Sequence, residues 1–372
     1  MPHHAEPAYA LARSHGIGAA LDEWARTANK QAPAVDLPAT PLGLRTWAAH
    51  FADANTALFE LRHAGVLQTM LPMATRTRSM LGLHLRHWAS PGNFYWQFGY
   101  PIGGGDGAKL LAALLAQLRL RRDWDVMDIG PMLVSSPQAA ALLSAGQGLG
   151  LRPELRARRL HHLVVASGPW AGYFAGVSRN LRDTVGNGQR RLQRQGPLAL
   201  VAYPGGPDLD AHLHAFYALE ASGWKGKEGT AIACNPKTRA FYTGLAHEAA
   251  AAGQLQLYEM TVGGRLVAAD YCIAHGGVLH PLKIAYDPTQ ARCSPGQVMR
   301  WLVLQRLFEQ HPGAVYDLGG GDGEHAQYKL RWANGAREYS VLRLFNPTTA
   351  RGQLCSRLAA FGRRPGPATP LD

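Results

Sequence analysis

The chain has 372 residues, of which 47% are hydrophobic and 17% charged, and this composition excludes a disordered protein. The length suits two domains better than a single compact core. Its apolar runs are too short to span a membrane, and the first residues lack the apolar stretch of a secretory signal. We therefore expect a soluble, cytoplasmic protein.

The cysteines and the charges indicate which kinds of binding site the chain can contain. The four cysteines are widely spaced and form no CxxC pair, which predicts reduced thiols and no metal site. The formal net charge is +12, and residues 151–195 contain nine arginines but only two acidic residues. This segment is either a solvated basic surface or a contact for a phosphorylated partner such as coenzyme A or tRNA. Five of the seven lysines lie between residues 225 and 329, where a compact ammonium group has been kept.

The first half of the chain predicts one crossover helix between two strands. Residues 1–40 are mixed in character and contain several prolines, so we expect a lead-in arm there. An aromatic strand at Asn93–Tyr100 precedes a glycine loop at Gly103–Gly107. The apolar helix Ala108–Arg121 and the strand Asp125–Ile129 follow.

The second half has the clearer pattern. Glycine pairs separate three strand-like runs, and such pairs supply the positive φ angles that tight hairpins require. Ser294-Pro295-Gly296 then opens an apolar helix, with serine as the N-cap and proline at the first position. The strands before and after this helix should lie side by side and parallel. The expected elements are Leu198–Ala202 (strand), Asp208–Ser222 and Pro236–Ala252 (helices), Leu255–Thr261, Arg265–Ala274 and Val278–Tyr286 (antiparallel strands), Asp287–Cys293 (loop), 295–310 (helix), Ala314–Leu318 and Glu338–Phe345 (strands).

The two halves resemble each other. Tyr100, a glycine-rich loop, a helix and Asp128-Ile129-Gly130 are matched by Tyr286, a polar loop, a helix and Asp317-Leu318-Gly319. We interpret this repeat as two related domains. The expected divisions are an arm at 1–40, an N-terminal domain at 41–166, a basic connecting segment at 167–196, a C-terminal domain at 197–348 and a flexible tail at 349–372.

The segment Ile284–Val298 is the first candidate site. A strand that ends at Tyr286 and splays from its neighbour would face the backbone N–H groups of Gly296, Gln297 and Val298. A helix start of this kind attracts anions through its N–H groups and its dipole. As a bare motif it is common, and many helices begin in this way without binding anything.

Three further motifs are weaker. Asp317–Gly323 resembles the glycine loop of Rossmann-type methyltransferases, but too little chain follows it to complete such a domain. Tyr328–Trp332 is either a site wall or a surface turn anchored by tryptophan. Glu220–Gly226 ends a helix, and Glu220 is either a general base or a solvated residue. The histidine pairs lack a third ligand at a convincing spacing, so no metal site is expected.

Taken together, these motifs resemble the GNAT-like acyltransferases grouped with cellulose-biosynthesis proteins, the CelD/BcsL type, which are relatives of the Fem peptidoglycan aminoacyltransferases. Weaker similarity extends over about residues 40 to 345. The matching pieces are Glu220-Ala-Ser-Gly-Trp-Lys-Gly226, Gly229-Thr-Ala-Ile232, Lys283-Ile-Ala-Tyr-Asp287, Ser294-Pro-Gly296, Asp317-Leu-Gly-Gly-Gly-Asp322 and Tyr328-Lys-Leu-Arg-Trp332.

The resemblance implies an α/β fold with mixed sheets in tandem GNAT domains, and direct transfer of an acyl group to an amine or hydroxyl. The implied donor is an acyl-CoA, with acetyl-CoA as first choice, and the acceptor is a small molecule, a saccharide or a peptide. No metal is implied. A backbone N–H near Ala285 or Tyr286 would polarise the acyl carbonyl.

The resemblance also implies roles for individual residues. The implied donor-binding residues are Ala285, Tyr286, Arg292, Ser294, Gly296, Gln297 and Val298. The implied catalytic residues are Lys329 and Tyr286, with Glu220 or Asp270 as base. The implied substrate-binding residues are Trp224, Lys225, Lys283, Asp287 and Tyr328.

Two departures leave the donor open. The loop before Gly296 is poorer in glycine and basic residues than the usual GNAT phosphate loop, because only Arg292 and Gly296 match its pattern. The Fem relatives use aminoacyl-tRNA in place of coenzyme A, so a tRNA partner is the second hypothesis. A catalytically silent binding module is the third.

Overall fold

A computed structural model describes residues 9–27, 37, 40–80, 82–92, 102–103, 107–320 and 324–361. The strands are β1 (Tyr9–Ser14), β2 (Thr56–His63), β3 (Val66–Met80), β4 (Leu83–Ala89), β5 (Ile102–Gly103), β6 (Val126–Leu133), β7 (Glu154–Val165), β8 (Leu198–Tyr203), β9 (Leu255–Val262), β10 (Arg265–His275), β11 (Val278–Tyr286), β12 (Val315–Asp317) and β13 (Gly335–Phe345). The helices are α1 (Ile17–Thr27), α2 (Pro41–Phe51), α3 (Gly107–Arg119), α4 (Pro137–Gly148), α5 (Trp170–Gly176), α6 (Arg179–Gln193), α7 (Leu209–Ser222), α8 (Trp224–Lys227), α9 (Pro236–Ala251), α10 (Pro295–Gln310), α11 (Glu324–Leu330) and α12 (Ala350–Phe361).

The chain forms two compact units. Unit 1 contains residues 1–159 together with 338–372, and unit 2 contains residues 160–337. Each unit has a hydrophobic core of its own. Among the described helices, none is both long and apolar enough to cross a membrane.

Unit 1 is a mixed sheet with the strand order β1-β2-β3-β4-β6-β13, and β5 lies beside β3. Neighbouring strands are antiparallel except β4 and β6, which are parallel. The leucines on one face of α3 bury against this sheet, where the ring of Trp88 stacks on Phe59 and Trp124. The strand expected at Asn93–Tyr100 lies outside the described residues, as does the middle of the loop Gly103–Gly107.

Both ends of the chain hold more structure than the sequence suggested. The expected arm contains β1, which pairs with β2, and α1, whose residues Ile17 and Leu21 are buried. The expected flexible tail contains α12, where Cys355 is buried against Leu85 and Phe345. Both segments contain few apolar residues, and their spacing in the sequence is too irregular to predict a buried strand or helix.

Unit 2 is a mixed sheet with the strand order β7-β12-β11-β10-β9-β8. β9, β10 and β11 form the antiparallel meander that was expected, and both of its glycine pairs have positive φ angles between 55° and 79°. The helices α5 and α6 occupy the expected connecting segment. The helix α6 buries Leu181, Val185 and Leu192 in the core of unit 2.

The repeat inferred from the sequence is present in the topology. In unit 1 an antiparallel meander (β2, β3, β4) leads through α3 to β6, which runs parallel to β4. In unit 2 the meander β9–β11 leads through α10 to β12, which runs parallel to β11. The prediction of a parallel pair on either side of the helix that starts at Pro295 is confirmed.

Candidate active site

The strands β11 and β12 separate soon after they meet. Their parallel pairing covers only Leu279 with Tyr316 and the pair before it, whereas β11 continues to Tyr286. The Asp287 N–H donates to the Val267 carbonyl (2.8 Å), and residues alternate in direction along an antiparallel ladder. The backbone groups of Ala285 therefore face β10, and those of Ile284 and Tyr286 face the edge that β12 leaves open.

The helix α10 begins beside this edge, but fewer of its N–H groups are available than expected. Ser294 has a left-handed backbone (φ 47°), and its side chain does not cap the helix. Its carbonyl instead accepts from the N–H groups of Gln297 (2.9 Å) and Val298 (3.2 Å). Gly296 is the one of the three whose N–H is not engaged by Ser294, and it lies next to the Tyr286 ring. Two of the three N–H groups that the sequence placed opposite the strand are therefore already engaged within the helix.

The loop between β11 and α10 is stabilised by hydrogen bonds to the side chain of Asp287, its first residue. The Asp287 carboxylate accepts from the Thr289 N–H (2.9 Å) and hydroxyl (2.6 Å), and pairs with Arg265. Burial alone would raise the pKa of Asp287, but hydrogen bonds from Thr289 and Arg265 hold it below the usual value. Arg292 is exposed, and its carbonyl accepts from Arg191 of α6 (2.6 Å). Asp287 thus shapes the loop in this structure.

A groove of about 200 Å³ runs along the end of β11 and collects five residues that the resemblance singled out. Trp224 and Tyr286 are 55% and 37% exposed, and they present aromatic surface to this groove. The lining residues are Leu219, Glu220, Gly223, Trp224, Lys225, Lys227, Ile284, Ala285, Tyr286 and Pro288.

Glu220 lies below this groove and is only 3% exposed. One of its carboxylate oxygens accepts from Lys225 Nζ (2.8 Å), and the other accepts from the Ile232 N–H (2.8 Å). Lys225 Nζ also donates to the Ile284 carbonyl (3.1 Å), so a partly buried ion pair ties α7 and α8 to the open edge of β11. With both oxygens engaged, Glu220 is placed to position Lys225 and the following loop.

Lys283 lies on β11 next to Tyr242 of α9. Its Nζ lies 5.5 Å from the centre of the Tyr242 ring. Burial lowers the pKa of Lys283, although the charge of Glu220 works in the opposite direction. Lys225, another residue expected to bind substrate, also lies near enough for its charge to lower the pKa of Lys283.

A second group of polar residues lies where β12 ends. The Tyr316 hydroxyl donates to Asp270 (2.9 Å), whose other carboxylate oxygen is buried without a hydrogen-bond partner in the described part of the chain. Arg300 of α10 is 6% exposed, and its guanidinium carbon lies 5.9 Å from the Tyr316 ring and 5.3 Å from the Tyr328 ring. Burial raises the pKa of Asp270, which disfavours its charged form.

Lys329 lies in the same group. Its Nζ donates to the Gly320 carbonyl and lies 6.0 Å from the Tyr328 ring centre. Burial and the charge of Arg300 lower the pKa of Lys329, whereas Asp317 raises it. The structure thus brings Tyr328 and Lys329 to the open end of β12, across from the end of β11.

Asp317 is the carboxylate at this end of β12. It accepts from the Gly319 N–H (2.7 Å), and the Nδ1 atoms of His161 and His280 lie 3.4 and 3.9 Å from it. Burial lowers the pKa of His280 to about 4, so this ring is neutral near pH 7. The rest of the glycine loop, residues 321–323, lies outside the described residues. No cluster of potential metal ligands occurs in the part of the chain that the structure describes.

Sequence reasoning missed Arg300, His161 and His280 as members of this region. Arg300 carried a signal, because it is a charged residue on the helix face that otherwise buries Val303, Leu304 and their neighbours. The histidines carried none, because only the fold brings residues 161, 280 and 317 together.

Comparison with known proteins finds a family model that matches the segment containing most residues of both groups. Residues 179–330 match the family model described as an acetyltransferase (GNAT) domain. No curated protein matches the chain. The narrower resemblance to the CelD/BcsL type stays a prediction.

Solved structures are similar over most of the chain at low sequence identity. FemX is 10% identical with a TM-score of 0.56, covering 93% of this chain and 99% of that one. The C-terminal domain (DUF2156) of a candidate lysylphosphatidylglycerol synthetase from Agrobacterium fabrum is 14% identical with a TM-score of 0.52, covering 93% and 97%. A protein of unknown function from Bacteroides thetaiotaomicron is 14% identical with a TM-score of 0.51, covering 88% and 97%. These likenesses concern the fold, and the expected mixed α/β class is confirmed. Together with the family match at residues 179–330, they show that this chain is similar to GNAT-fold proteins.

Proposed function

We propose that this chain is an acyltransferase in which an amine or hydroxyl of the acceptor attacks the donor's acyl carbonyl directly. The observation that carries the proposal is the early end of the β11–β12 pairing, which leaves the edge at Ile284 and Tyr286 open beside the start of α10. The GNAT domain at 179–330 includes all of these elements and supports the same reaction class.

The open edge supplies the electrostatic part of the chemistry. The Tyr286 N–H faces this edge, where it would donate to the acyl carbonyl and stabilise the negative charge that develops during attack. The acceptor's bond to the acyl carbon forms as the bond to the leaving group breaks, and the leaving group takes up the proton that the acceptor loses. Direct attack needs no enzyme nucleophile, so positioning is the main task of the protein.

The groove beside β11 would receive the acceptor. Trp224 and Tyr286 offer exposed rings for stacking, and Lys225 is fixed between Glu220 and the Ile284 carbonyl. In this assignment Glu220 is a positioning residue, because both of its oxygens are engaged. Asp270 is fully buried, which does not favour it as the base.

An acyl-CoA thioester is the first candidate donor, with acetyl-CoA as the simplest member. Its phosphates would lie at the start of α10, where Gly296 permits close approach and Arg292 is exposed. Calorimetric titration with a panel of CoA thioesters tests this donor class. Binding in the micromolar range supports it, and no binding at millimolar ligand excludes it.

The substitution Gly296→Glu makes that titration specific for the site. A carboxylate at the helix start would repel the phosphates, and we expect CoA affinity to fall about tenfold or more. Gly148→Glu is the matched control, because a side chain at Gly148 of α4 meets no atom within 4 Å. Equal loss of affinity in both variants would remove the helix start from the donor site.

Aminoacyl-tRNA is the second candidate donor, as the resemblance to the Fem relatives implies. Ser294 already engages two of the three N–H groups that would hold the pyrophosphate of coenzyme A. This argues against a CoA donor and therefore favours aminoacyl-tRNA. The exposed arginines near the end of α6 (Arg190 and Arg191) and directly after it (Arg194) could follow a nucleic-acid backbone. Filter binding of charged tRNA at rising salt tests this alternative. Affinity that falls steeply with salt supports it, and absence of binding excludes it.

A further inference from the structure

Two cationic side chains, Arg300 and Lys329, lie near the same tyrosine ring at the open end of β12. Arg300 reaches this point from the second turn of α10, and Lys329 reaches it from α11. Tyr328 is common to both, since its ring lies 5.3 Å from the Arg300 guanidinium carbon and 6.0 Å from Lys329 Nζ. Two positive side chains so close together repel each other, and this repulsion contributes to the lowered pKa of Lys329.

Among the residues that the structure describes, no carboxylate is in direct contact with Arg300 or Lys329. Arg300 Nε is buried and has no hydrogen-bond partner within the described ranges. Asp270 influences Arg300 only at a distance, and its own charge is disfavoured by burial. Asp317 is shared by His161 and His280, and Lys329 itself donates to the Gly320 carbonyl. Buried charges are normally paired, because removing them from water without a partner is costly.

We propose that Arg300 and Lys329 form a binding site for an oxyanion group, a carboxylate or a phosphate, carried by one of the substrates. The planar guanidinium suits two oxygens of such a group, and the ammonium of Lys329 supplies a point charge beside it. The guanidinium carbon lies 5.9 Å from the Tyr316 ring centre and 5.3 Å from the Tyr328 ring centre, and these contacts favour one position of the group. The site is distinct from the helix start at Gly296, because Arg300 lies four residues, or about 6 Å, further along α10.

The anion can belong to either substrate, and this assignment rests on the proposed function. A donor whose acyl group ends in a carboxylate would place it beyond the reacting carbonyl, deep in the opening. An acceptor that carries a carboxylate or phosphate would bring it from the side of α11. Both cases share the same chemistry at Arg300 and Lys329.

Inorganic phosphate is the probe that tests the site without any donor. We expect calorimetry to detect millimolar binding of phosphate to the full chain, weakened about tenfold in Lys329→Gln and in Arg300→Gln. The matched controls are Arg306→Gln, on the same helix, and Lys237→Gln, which is exposed on α9; both should bind phosphate as the unaltered chain does. Equal phosphate affinity in all four variants would overturn the proposal.

A second measurement covers the case in which Arg300→Gln fails to fold. In the unaltered chain, phosphate should slow the reaction of Lys329 with an amine-specific reagent, followed by mass spectrometry, and should leave Lys237 unaffected. Failure to protect Lys329 would also overturn the proposal.

Titration of succinyl-CoA against butyryl-CoA then identifies the source of the anion. A preference for succinyl-CoA that disappears in Lys329→Gln assigns it to the acyl group. Equal affinities, with phosphate binding alongside butyryl-CoA, assign it to the acceptor. If no CoA thioester binds but phosphate still protects Lys329, the proposed donor is wrong and the anion site stands.

Discussion

In each unit an aspartate lies on the strand that follows the crossover helix: Asp128 on β6 and Asp317 on β12. The Asp128 carboxylate accepts from Arg343 Nε (2.7 Å) and Nη2 (2.6 Å), and His87 lies 2.9 Å away. Asp317 has no such bidentate partner among the described residues. Its histidines lie at 3.4 and 3.9 Å.

The histidines beside these two aspartates also occupy corresponding strands of the two units. His87 belongs to β4 and His280 to β11, and each strand precedes the crossover helix of its unit. In unit 1 the carboxylate is saturated by arginine, whose hydrogen bonds outweigh burial and hold the pKa of Asp128 far below its usual value. In unit 2 the contacts to the corresponding aspartate are longer, and the two cations nearby have no direct carboxylate partner within the described ranges. The same position in the topology thus carries a tightly paired carboxylate in one unit and a loosely paired one in the other.

The largest expected effect comes from removing the arginine of unit 1. Arg343→Met leaves the buried Asp128 without its main partner, and we expect the free energy of unfolding to fall by about 3–5 kcal/mol. Hydrogen exchange should accelerate in peptides from β6 and β13, with little change in peptides from β10. Arg156→Met is the control, because Arg156 pairs with Glu154 at the surface and its loss should cost under about 1 kcal/mol. Similar losses of unfolding free energy in both variants would contradict a special stabilising role for the Arg343–Asp128 pair.

The next effect concerns acid sensitivity in unit 2. The pKa of His280 falls from 6.5 when unfolded to about 4 when folded, so the unfolded state binds this proton more readily. Stability should therefore decrease as the pH falls from 6.5 to 4, with a contribution of up to about 3 kcal/mol from this ring. His280→Gln should flatten that part of the urea-unfolding curve against pH. An unchanged slope would show that the ring already titrates normally.

A smaller effect distinguishes a positioning glutamate from a base. Glu220→Gln keeps the shape but removes the charge that holds Lys225, and we expect a loss of about 2 kcal/mol in unfolding free energy. Acceptor KM should rise more than kcat falls, and the pH profile of kcat should stay unchanged. Glu248→Gln, at an exposed position on α9, should change stability by under about 0.5 kcal/mol. Loss of the acidic limb of the kcat profile would restore Glu220 as the base.

The smallest effect compares two Ser-Pro helix starts. Ser136 caps α4 by accepting from the Ala139 N–H (3.1 Å), so Ser136→Ala should cost about 1 kcal/mol. Ser294 makes no side-chain cap and has φ 47°, so Ser294→Gly should raise the free energy of unfolding by about 0.5–1 kcal/mol. Thermal unfolding of both variants checks the signs. Destabilisation by Ser294→Gly would show that the hydroxyl has a role in the fold.

The meander and the crossover helix of unit 2 were predictable because local chemistry determines them. The glycine pairs at 263–264 and 276–277 specify tight turns, and proline after Ser294 specifies a helix start. The pairing of β6 with β13 was not predictable, because Asp128 and Arg343 are 215 residues apart and no local pattern joins them.

The candidate site divides in the same way. The residues near Tyr286 lie close together in sequence, and the structure gathers Glu220, Trp224, Lys225, Ala285 and Tyr286 around one groove, although their roles stay predictions. The Arg300 cluster depends on burial, which the sequence does not give. The side-chain use of Ser294 also escaped prediction, because the serine that begins α10 has an unexpected backbone conformation.

The division of unit 1 between both ends of the chain has a consequence during biosynthesis. The segment 160–337 is continuous and can fold as soon as it leaves the ribosome, whereas β6 must wait for β13. At 5–20 residues per second, the 215 residues between Asp128 and Arg343 take roughly 10–40 s to synthesise. During that interval the edge of β6 is open to pairing with other nascent chains. Premature termination before residue 345 would therefore yield a chain whose later half is folded and whose earlier half is prone to aggregate.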